Sequence, residues 1–197
     1  MAFKQAMGTL SVVITLIAYA RYMRKAARGE IQPHPLSWAL WGVVTLIAYL
    51  VQRKQNAGPG SWVVLFTWVS CFLIAIYSYY KYKWNFEPSE LLFLIAGLAA
   101  VLCYSLSKSP WISAVFATAA DVIGYYSTIK KGWIEPFKDD WLSFLLNGIK
   151  FFVAFPALQS YSIGTYLYPV TIGTMNLGMF AMLVFRQNRV SMPSRNI

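Results

Sequence analysis

The sequence predicts an all-α membrane protein with seven transmembrane helices, arranged as two three-helix repeats that are joined by a single helix. The first observation is composition: 58% of the 197 residues are hydrophobic and only 12% are charged, whereas soluble domains are about 45–50% apolar and about 25% charged. The second observation is a series of seven long apolar runs, and the third is an internal repeat. This composition excludes a disordered chain and most soluble enzymes. We expect the lipid bilayer as a partner and no nucleic acid.

The apolar runs approach the roughly 20 residues with which a helix crosses about 30 Å of hydrocarbon. Prolines, glycines and charged residues mark their limits. The predicted spans are Gly8–Arg24, Leu36–Val51, Gly60–Tyr80, Ser89–Leu106, Trp111–Ile129, Trp141–Leu158 and Ile163–Phe185. They divide the chain into a first repeat (1–86), a linker helix (87–108) and a second repeat with a short tail (109–197).

The first span also resembles a secretory signal, because Lys4 and an apolar stretch precede an Ala18-Tyr19-Ala20 sequence. We interpret it as a transmembrane helix, because it forms part of the repeat and basic residues follow directly. The N-terminal stretch is therefore expected to remain in the protein.

The cations predict the orientation of the chain, because cytoplasmic loops of membrane proteins are rich in Lys and Arg. In a seven-span arrangement one side carries Arg21, Arg24, Lys25, Arg28, Lys81, Lys83, Lys130, Lys131, Lys138, Arg186, Arg189 and Arg195. The other side carries Lys4, Arg53, Lys54 and Lys108. We expect a plasma membrane protein (bacterial inner membrane) with the N-terminus outside and the C-terminus in the cytoplasm.

A shift of 103 residues aligns the first span with the fifth, together with the loops that follow. The identical pairs are Tyr22 and Tyr125, Gly29 and Gly132, Ile31 and Ile134, Pro33 and Pro136, and Trp38 and Trp141. Because one helix links the two copies, both have the same orientation in the membrane. Parallel repeats of this kind occur among transporters.

The loops after the first and fifth spans resemble those of the SWEET and PQ-loop group of membrane proteins. The first match runs from Arg24-Lys25 to Gly29 and on through Pro33-His34-Pro35-Leu36-Ser37-Trp38; the second runs from Asp121 through Lys130-Lys131-Gly132-Trp133 to Pro136. The resemblance implies seven helices in a 3+1+3 arrangement, and transport of a small solute by alternating access. The Pro-Gln pair of the group is missing, since Tyr19-Ala20 and Val122-Ile123 stand there.

Two residues with formal charges lie at mid-depth in predicted spans, Asp121 in the fifth and Lys150 in the sixth. A charge in hydrocarbon costs about 2.5 kcal/mol or more, so each is a candidate functional residue. At the rise of an α-helix, Asp121, Lys150, Asn147 and Asn176 all lie roughly 12–20 Å below the outer helix ends. We predict a mid-membrane site that contains all four. The alternative is that Asp121 and Lys150 form a structural ion pair and that the asparagines bond neighbouring helices.

Four further residues complete the predicted site. The resemblance identifies Asn176 with the pocket asparagine of the seventh SWEET helix. The partner asparagine of the third helix has no match; the nearest positions are about Ser70 to Phe72, and Thr67 lies a turn earlier. Trp41 and Trp68 lie deeper than Trp38, Trp62, Trp84, Trp111, Trp133 and Trp141, which are interpreted as interfacial anchors. Pro169 precedes Asn176 by seven residues and is the hinge candidate.

The leading functional hypothesis is a transporter or facilitator for a small neutral or zwitterionic solute, sugar-like or amino-acid-like. Lys150 would balance the charge of Asp121, and Asp121 is the candidate for proton coupling, since burial disfavours a charged carboxyl group. The alternatives are a seven-helix receptor or sensor and a membrane protein that acts through a partner; a homo-oligomer stays open. We expect no catalytic residues, metal site or cofactor, because no metal cluster, phosphate loop or Ser-His-Asp set is visible.

Overall fold

The computed structural model describes residues 1–82, 88–107 and 109–190, without the side chain of Ser89. Within this part of the chain there are seven α-helices, which confirms the predicted number. They are α1 (Ala2–Ala27), α2 (Pro35–Lys54), α3 (Trp62–Lys81), α4 (Pro88–Leu106), α5 (Pro110–Ile134), α6 (Trp141–Ala154) and α7 (Ile163–Arg189). Short 3-10 turns span Gly58–Ser61, Pro136–Lys138 and Phe155–Ala157. The predicted orientation and belt residues Lys83, Trp84, Lys108 and Arg195 lie outside the described residues.

Local chemistry explains most of the helix limits. Pro35 and Pro110 stand in the first turns of α2 and α5, where the missing N–H costs nothing. Ser162 and Thr165 form a capping box at the start of α7. The α-helical part of α6 stops at Ala154, ahead of the predicted limit, because Pro156 follows and a proline cannot continue the backbone ladder.

The surface of the bundle supports the prediction of a membrane protein. The helices α1, α2, α3, α5 and α7 are long and apolar enough to cross a membrane, and α4 and α6 are shorter apolar helices. Large apolar side chains point outward where a soluble protein would carry charges. They include Leu10, Val13, Leu16 and Ile17 of α1, Leu73 and Ile76 of α3, and Leu91, Leu92, Ile95, Leu98 and Leu102 of α4.

Hydrogen bonds between the helix ends show that successive helices run in opposite directions. Lys81 Nζ donates to the Ala27 carbonyl at 2.7 Å, which places the ends of α3 and α1 together. Arg186 Nε donates to the Trp133 carbonyl at 3.0 Å, which does the same for α7 and α5. We call the end where α1, α3, α5 and α7 finish the basic end. The other end of the bundle is called the opposite end.

The helices α1 to α3 form one group and α5 to α7 form another, and two helix–helix contacts join the groups. The helix α3 packs on α1 and α2, and α7 packs on α5 and α6. Contacts of α1 with α6 and of α2 with α5 join these two groups, and α4 packs on α5 and α2. We call the two joining contacts the α1–α6 seam and the α2–α5 seam.

The opposite end is closed by direct contact between two connections. Gln159 N donates to the Ala57 carbonyl at 2.9 Å, which joins the α6–α7 connection to the α2–α3 connection. A Cβ atom at Gly60 would lie 2.8 Å from the backbone nitrogen of Leu158, so only glycine fits there. Lys4 Nζ donates to the Leu158 carbonyl at 2.7 Å and adds the start of α1.

Candidate functional site

A cavity of about 510 Å³ enters the bundle from the basic end and stops near its middle. At the basic end it is lined by the α1–α2 connection and by the α5–α6 connection. Deeper wall residues come from α1, α2, α3, α5, α6 and α7; they are Tyr19, Trp41, Thr45, Thr67, Cys71, Asp121, Tyr125, Asn147, Phe151, Tyr168, Ile172 and Asn176. Beyond the innermost of these residues lie the contacts that close the opposite end. The cavity is therefore accessible from one end of the bundle.

The deepest polar group of the cavity is the acidic cluster, which consists of Thr45, Tyr168 and Asp121. The Tyr168 hydroxyl donates to Asp121 Oδ2 at 2.5 Å and lies 2.9 Å from Thr45 Oγ1. Since a tyrosine hydroxyl has a single hydrogen, Thr45 is then the donor to Tyr168. The cluster joins α2 to α5 and α7 across the α2–α5 seam. No other hydrogen bond reaches Asp121 from the described residues, which leaves its Oδ1 able to accept one from a solute.

Lys150 belongs to a second group, the lysine cluster, with Thr67 and Tyr19. Its ammonium donates to Thr67 Oγ1 at 2.8 Å and to the Tyr19 hydroxyl at 3.3 Å. The same nitrogen lies 4.4 Å from the centroid of the Tyr19 ring and 4.9 Å from that of Phe151. Lys150 has no solvent-exposed surface. The cluster joins α6 to α1 and α3 across the α1–α6 seam.

Among the described residues, no hydrogen bond or ion pair joins the four predicted mid-depth residues to one another. Lys150 is part of no ion pair among the described residues, because the partners of Asp121 and Lys150 are hydroxyl groups on opposite seams. Asp121 lines the cavity, and Lys150 lies behind Thr67 and Tyr19, which do. The structural ion pair weighed from the sequence is therefore absent in this conformation.

Both predicted asparagines line the cavity, and both use their amide N–H groups on their own helices. Asn147 Nδ2 donates to the Ser143 carbonyl at 2.9 Å, and Asn176 Nδ2 donates to the Ile172 carbonyl at 2.8 Å. Asn147 Oδ1 is buried without a hydrogen-bond partner, as is the indole N–H of Trp41. Unsatisfied buried polar atoms are costly. The free polar atoms of the cavity therefore include an acceptor on α6 and a donor on α2.

The two remaining predicted residues lie outside the cavity lining. Trp68 on α3 packs edge-on against Phe72, with ring centroids 6.1 Å apart. Pro169 is inside α7 and supplies no N–H to the Thr165 carbonyl one turn earlier. Gln52 Nε2 of α2 donates to that carbonyl at 2.7 Å instead. The turn of α7 that contains the hinge candidate is therefore hydrogen-bonded to α2 near the opposite end.

Aromatic rings form a continuous wall along the cavity. The rings of Trp38 and Trp41 meet edge-on at 5.3 Å, and that of Trp41 lies 6.0 Å from Tyr125 across the α2–α5 seam. Trp38 also contacts Tyr22, at 4.9 Å. The interpretation of Trp38 as an interfacial anchor is therefore wrong: the residue stands at the start of α2, but its ring packs inward among other aromatic rings.

A charged clamp holds the α1–α6 seam at the basic end. Asp140, directly before α6, receives hydrogen bonds from Arg21 Nε at 2.8 Å, Lys25 Nζ at 2.8 Å and Ser143 Oγ at 2.6 Å. Burial alone would raise the pKa of Asp140, but these donors lower it to about 2. The neighbouring Asp139 differs, because burial raises its pKa and its Oδ2 has no hydrogen-bond partner. Asp139 lines the cavity.

Sequence reasoning missed the residues that give Asp121 and Lys150 their partners. Tyr, Thr and other such residue types are common in apolar helices, so their identities alone do not mark Tyr19, Thr45 and Tyr168 as parts of a site. Helical spacing offered one signal: Trp41 and Thr45, like Asp121 and Tyr125, are four residues apart and share a helix face. For Asp140 the signal was an acid at a helix start facing a loop rich in cations.

In the described part of the chain, no three His, Cys, Asp or Glu side chains lie close enough together to hold a metal ion. Comparison with models of known protein families, with curated proteins and with solved structures finds no match to this chain.

Proposed function

We propose that the protein is a transporter or facilitator for a small solute, which binds in the cavity between two parallel three-helix repeats. The observation that carries the proposal is a cavity that runs from the basic end to the acidic cluster near the middle of the bundle, while direct contacts between the connections hold the opposite end together. A carrier that works by alternating access has such a shape in one of its two states. The basic end would be cytoplasmic, in agreement with its cations.

The helix contacts support the 3+1+3 arrangement. In each proposed repeat the third helix packs on the first two, as α3 does on α1 and α2 and α7 does on α5 and α6. A two-fold relation that exchanges the repeats would also exchange the α1–α6 seam with the α2–α5 seam. The lysine cluster and the acidic cluster lie on these two seams and draw on equivalent helices. The helix α4 is then the linker.

The proposed cycle requires the two closed contacts to break and form in turn. Opening the opposite end would separate Gly60 from Leu158 and release Gln52 from the Thr165 carbonyl. Pro169 lies one turn after that carbonyl and would let α7 bend there. Asp121 is proposed as the group that could couple the cycle to a proton, since it touches the cavity and its hydroxyl partner, Tyr168, belongs to another helix.

A receptor or sensor is the second candidate, because a cavity open at one end also suits a ligand that binds and does not cross. The two functions differ in flux. We would reconstitute the purified protein in liposomes and measure uptake of a panel of sugars, amino acids and small amines. Asp121→Asn would test the site, and Trp68→Leu is the matched control outside the cavity.

For a transporter we expect uptake of at least one solute, lost in Asp121→Asn and kept in Trp68→Leu. Binding without uptake would favour the receptor. Access to the opposite end can be measured independently of the solute, with Ala57→Cys in a chain whose native cysteines are replaced by serine. Ala57 has no exposed surface in this conformation. A membrane-impermeant thiol reagent should label it from the opposite side only if that end opens; complete protection would contradict alternating access.

A further inference from the structure

The acidic residues of the chain are concentrated in the cavity. The protein has a formal net charge of +10, with 17 Lys and Arg and only seven Asp and Glu. Five of those seven carboxylates line the cavity: Glu30, Glu90, Asp121, Glu135 and Asp139. Among the described residues, Lys131 and Lys138 are the lysines of the same lining, and none of its residues is an arginine. The cavity is therefore negative inside a positive protein, with His34 charged or neutral.

The cations near the cavity do not cancel this charge at its deep end. Lys138 lies at the mouth, where it forms an exposed ion pair with Glu135 at 2.6 Å. Lys131 is also near the mouth, in the last turn of α5. Lys150 is directed at Thr67 and Tyr19 and is not part of the lining. Asp121, which is 3% exposed, consequently faces the cavity with no cation of the described residues within ion-pair distance.

The aromatic wall lies directly beside Asp121. Asp121 and Tyr125 are four residues apart on α5 and share one face, and the Tyr125 ring is 6.0 Å from that of Trp41. Aromatic faces attract cations, tryptophan most strongly, and desolvation strengthens the attraction. A carboxylate with a free oxygen next to two rings is the combination that an ammonium group needs.

Resting on the proposed function of this cavity, we propose that its solute is an organic cation, a molecule with one ammonium or similar group on an otherwise uncharged body. The positive group lies between Asp121, Trp41 and Tyr125. The uncharged body extends toward the basic end, where Asn147 Oδ1 accepts a hydrogen bond from it. The expectation of a neutral or zwitterionic solute depended on Lys150 balancing Asp121 within the site, and the structure separates the two.

The test compares solutes of equal shape and different charge. Choline and its neutral carbon isostere, 3,3-dimethylbutan-1-ol, differ only in the charged atom. Benzyltrimethylammonium adds a larger cation that also fits 510 Å³. Binding to the purified wild-type protein is measured by calorimetry and by quenching of tryptophan fluorescence. We expect the cations to bind at least about tenfold more tightly than the neutral isostere, from cation–π and carboxylate contacts.

Two variants locate the binding. Trp41→Leu should weaken cation binding about tenfold, and Asp121→Asn should reduce it at least as much. Trp68→Leu is the matched control, because its indole is also partly buried but outside the lining. Thermal unfolding of each variant shows whether it is folded. Equal binding of choline and its isostere, no binding of either cation, or equal losses in Trp41→Leu and Trp68→Leu would overturn the inference.

Flux separates this inference from the proposed function. If the vesicles take up sugars or neutral amino acids and neither cation binds, the transporter proposal stands and the cation inference fails. If cations bind at Trp41 and Asp121 and never cross the membrane, the inference stands and the transporter proposal fails.

Discussion

The two ends of the bundle are held together by different chemistry. At the opposite end the connections touch backbone to backbone, through Gly60 against Leu158 and Gln159 against Ala57, and Lys4 adds a hydrogen bond to the Leu158 carbonyl. At the basic end the corresponding connections line the mouth of the cavity, and the ion pairs of Asp140 join α1 to the start of α6. The cavity opens between them.

This difference teaches which contacts a change of conformation must break. The packing against Gly60 leaves no room for an added atom. The stability of the opposite end should therefore respond strongly to a larger side chain there. The clamp at Asp140 depends on charge and should respond to neutralisation and to pH. The predictions that follow vary one contact at a time; effects on stability are measured as the free energy of unfolding in detergent.

The largest effect is expected for Gly60→Ala. The new Cβ atom would lie 2.6 Å from Leu158 Cδ2 and 2.9 Å from its Cα, and backbone atoms cannot move aside cheaply. Overpacking of this kind costs about 1–3 kcal/mol, and we expect the upper part of that range. Gly178→Ala is the matched control, since nothing lies within 4 Å of a Cβ there. Equal stability of the two variants would contradict the packing of the closed end.

The next effect is expected for Asp140→Asn. The pKa of Asp140 is lowered to about 2 from an unfolded value near 3.8, and each unit corresponds to about 1.4 kcal/mol. We expect a loss of about 2 kcal/mol at neutral pH, somewhat screened because Arg21 and Lys25 are partly exposed. Asp139→Asn is the control, because its Oδ2 has no partner to lose.

The pH dependence of this clamp has a definite sign. Because the folded pKa is below the unfolded one, the stabilisation is fully present above about pH 4 and is lost as the pH falls toward 2. Wild type should therefore lose stability over this interval more steeply than Asp140→Asn. Parallel curves for the two proteins would show that Asp140 does not carry the clamp.

A smaller effect is expected for Gln52→Leu. The variant leaves the Thr165 carbonyl without a donor, because Pro169 has no N–H to offer. An unsatisfied buried acceptor costs about 1–3 kcal/mol, but Gln52 Oε1 is itself without a partner, so we expect about 1 kcal/mol. In a Pro169→Ala background the helix supplies the missing N–H. The cost of Gln52→Leu should then fall, and a double-mutant cycle measures the difference.

The number of helices could be predicted from the sequence, because apolar length is a local property. Asp121, Asn147 and Trp41 were selected for their depth in apolar runs, Asn176 for its depth and the family resemblance, and Thr67 through the resemblance; all five line the cavity.

The hydrogen-bond partners of Asp121 and Lys150 could not be predicted in this way. Whether Lys150 meets Asp121 or Thr67 depends on how α6 is rotated against α1 and α3, and a helix rotation leaves hydropathy unchanged. The Gln52 contact depends in the same way on which carbonyl a distant proline leaves free. The negative charge of the cavity could not be predicted either, because the net charge of the chain does not show where its few acidic residues lie in the fold.

The smallest effect on stability, and the sharpest for the basic end, is expected for Lys138→Gln. Its ion pair with Glu135 is exposed, and such pairs contribute between zero and about 0.5 kcal/mol. The variant nevertheless removes one of the two lysines of the cavity lining. Because an unbalanced charge at a cleft steers ions of opposite sign, choline should associate with the variant faster at low salt. Its dissociation rate should stay nearly unchanged, since the contact is far from Asp121. Stopped-flow quenching of tryptophan fluorescence at low and high salt measures both rates, and an increase that persists at high salt would assign the effect to altered structure and not to charge.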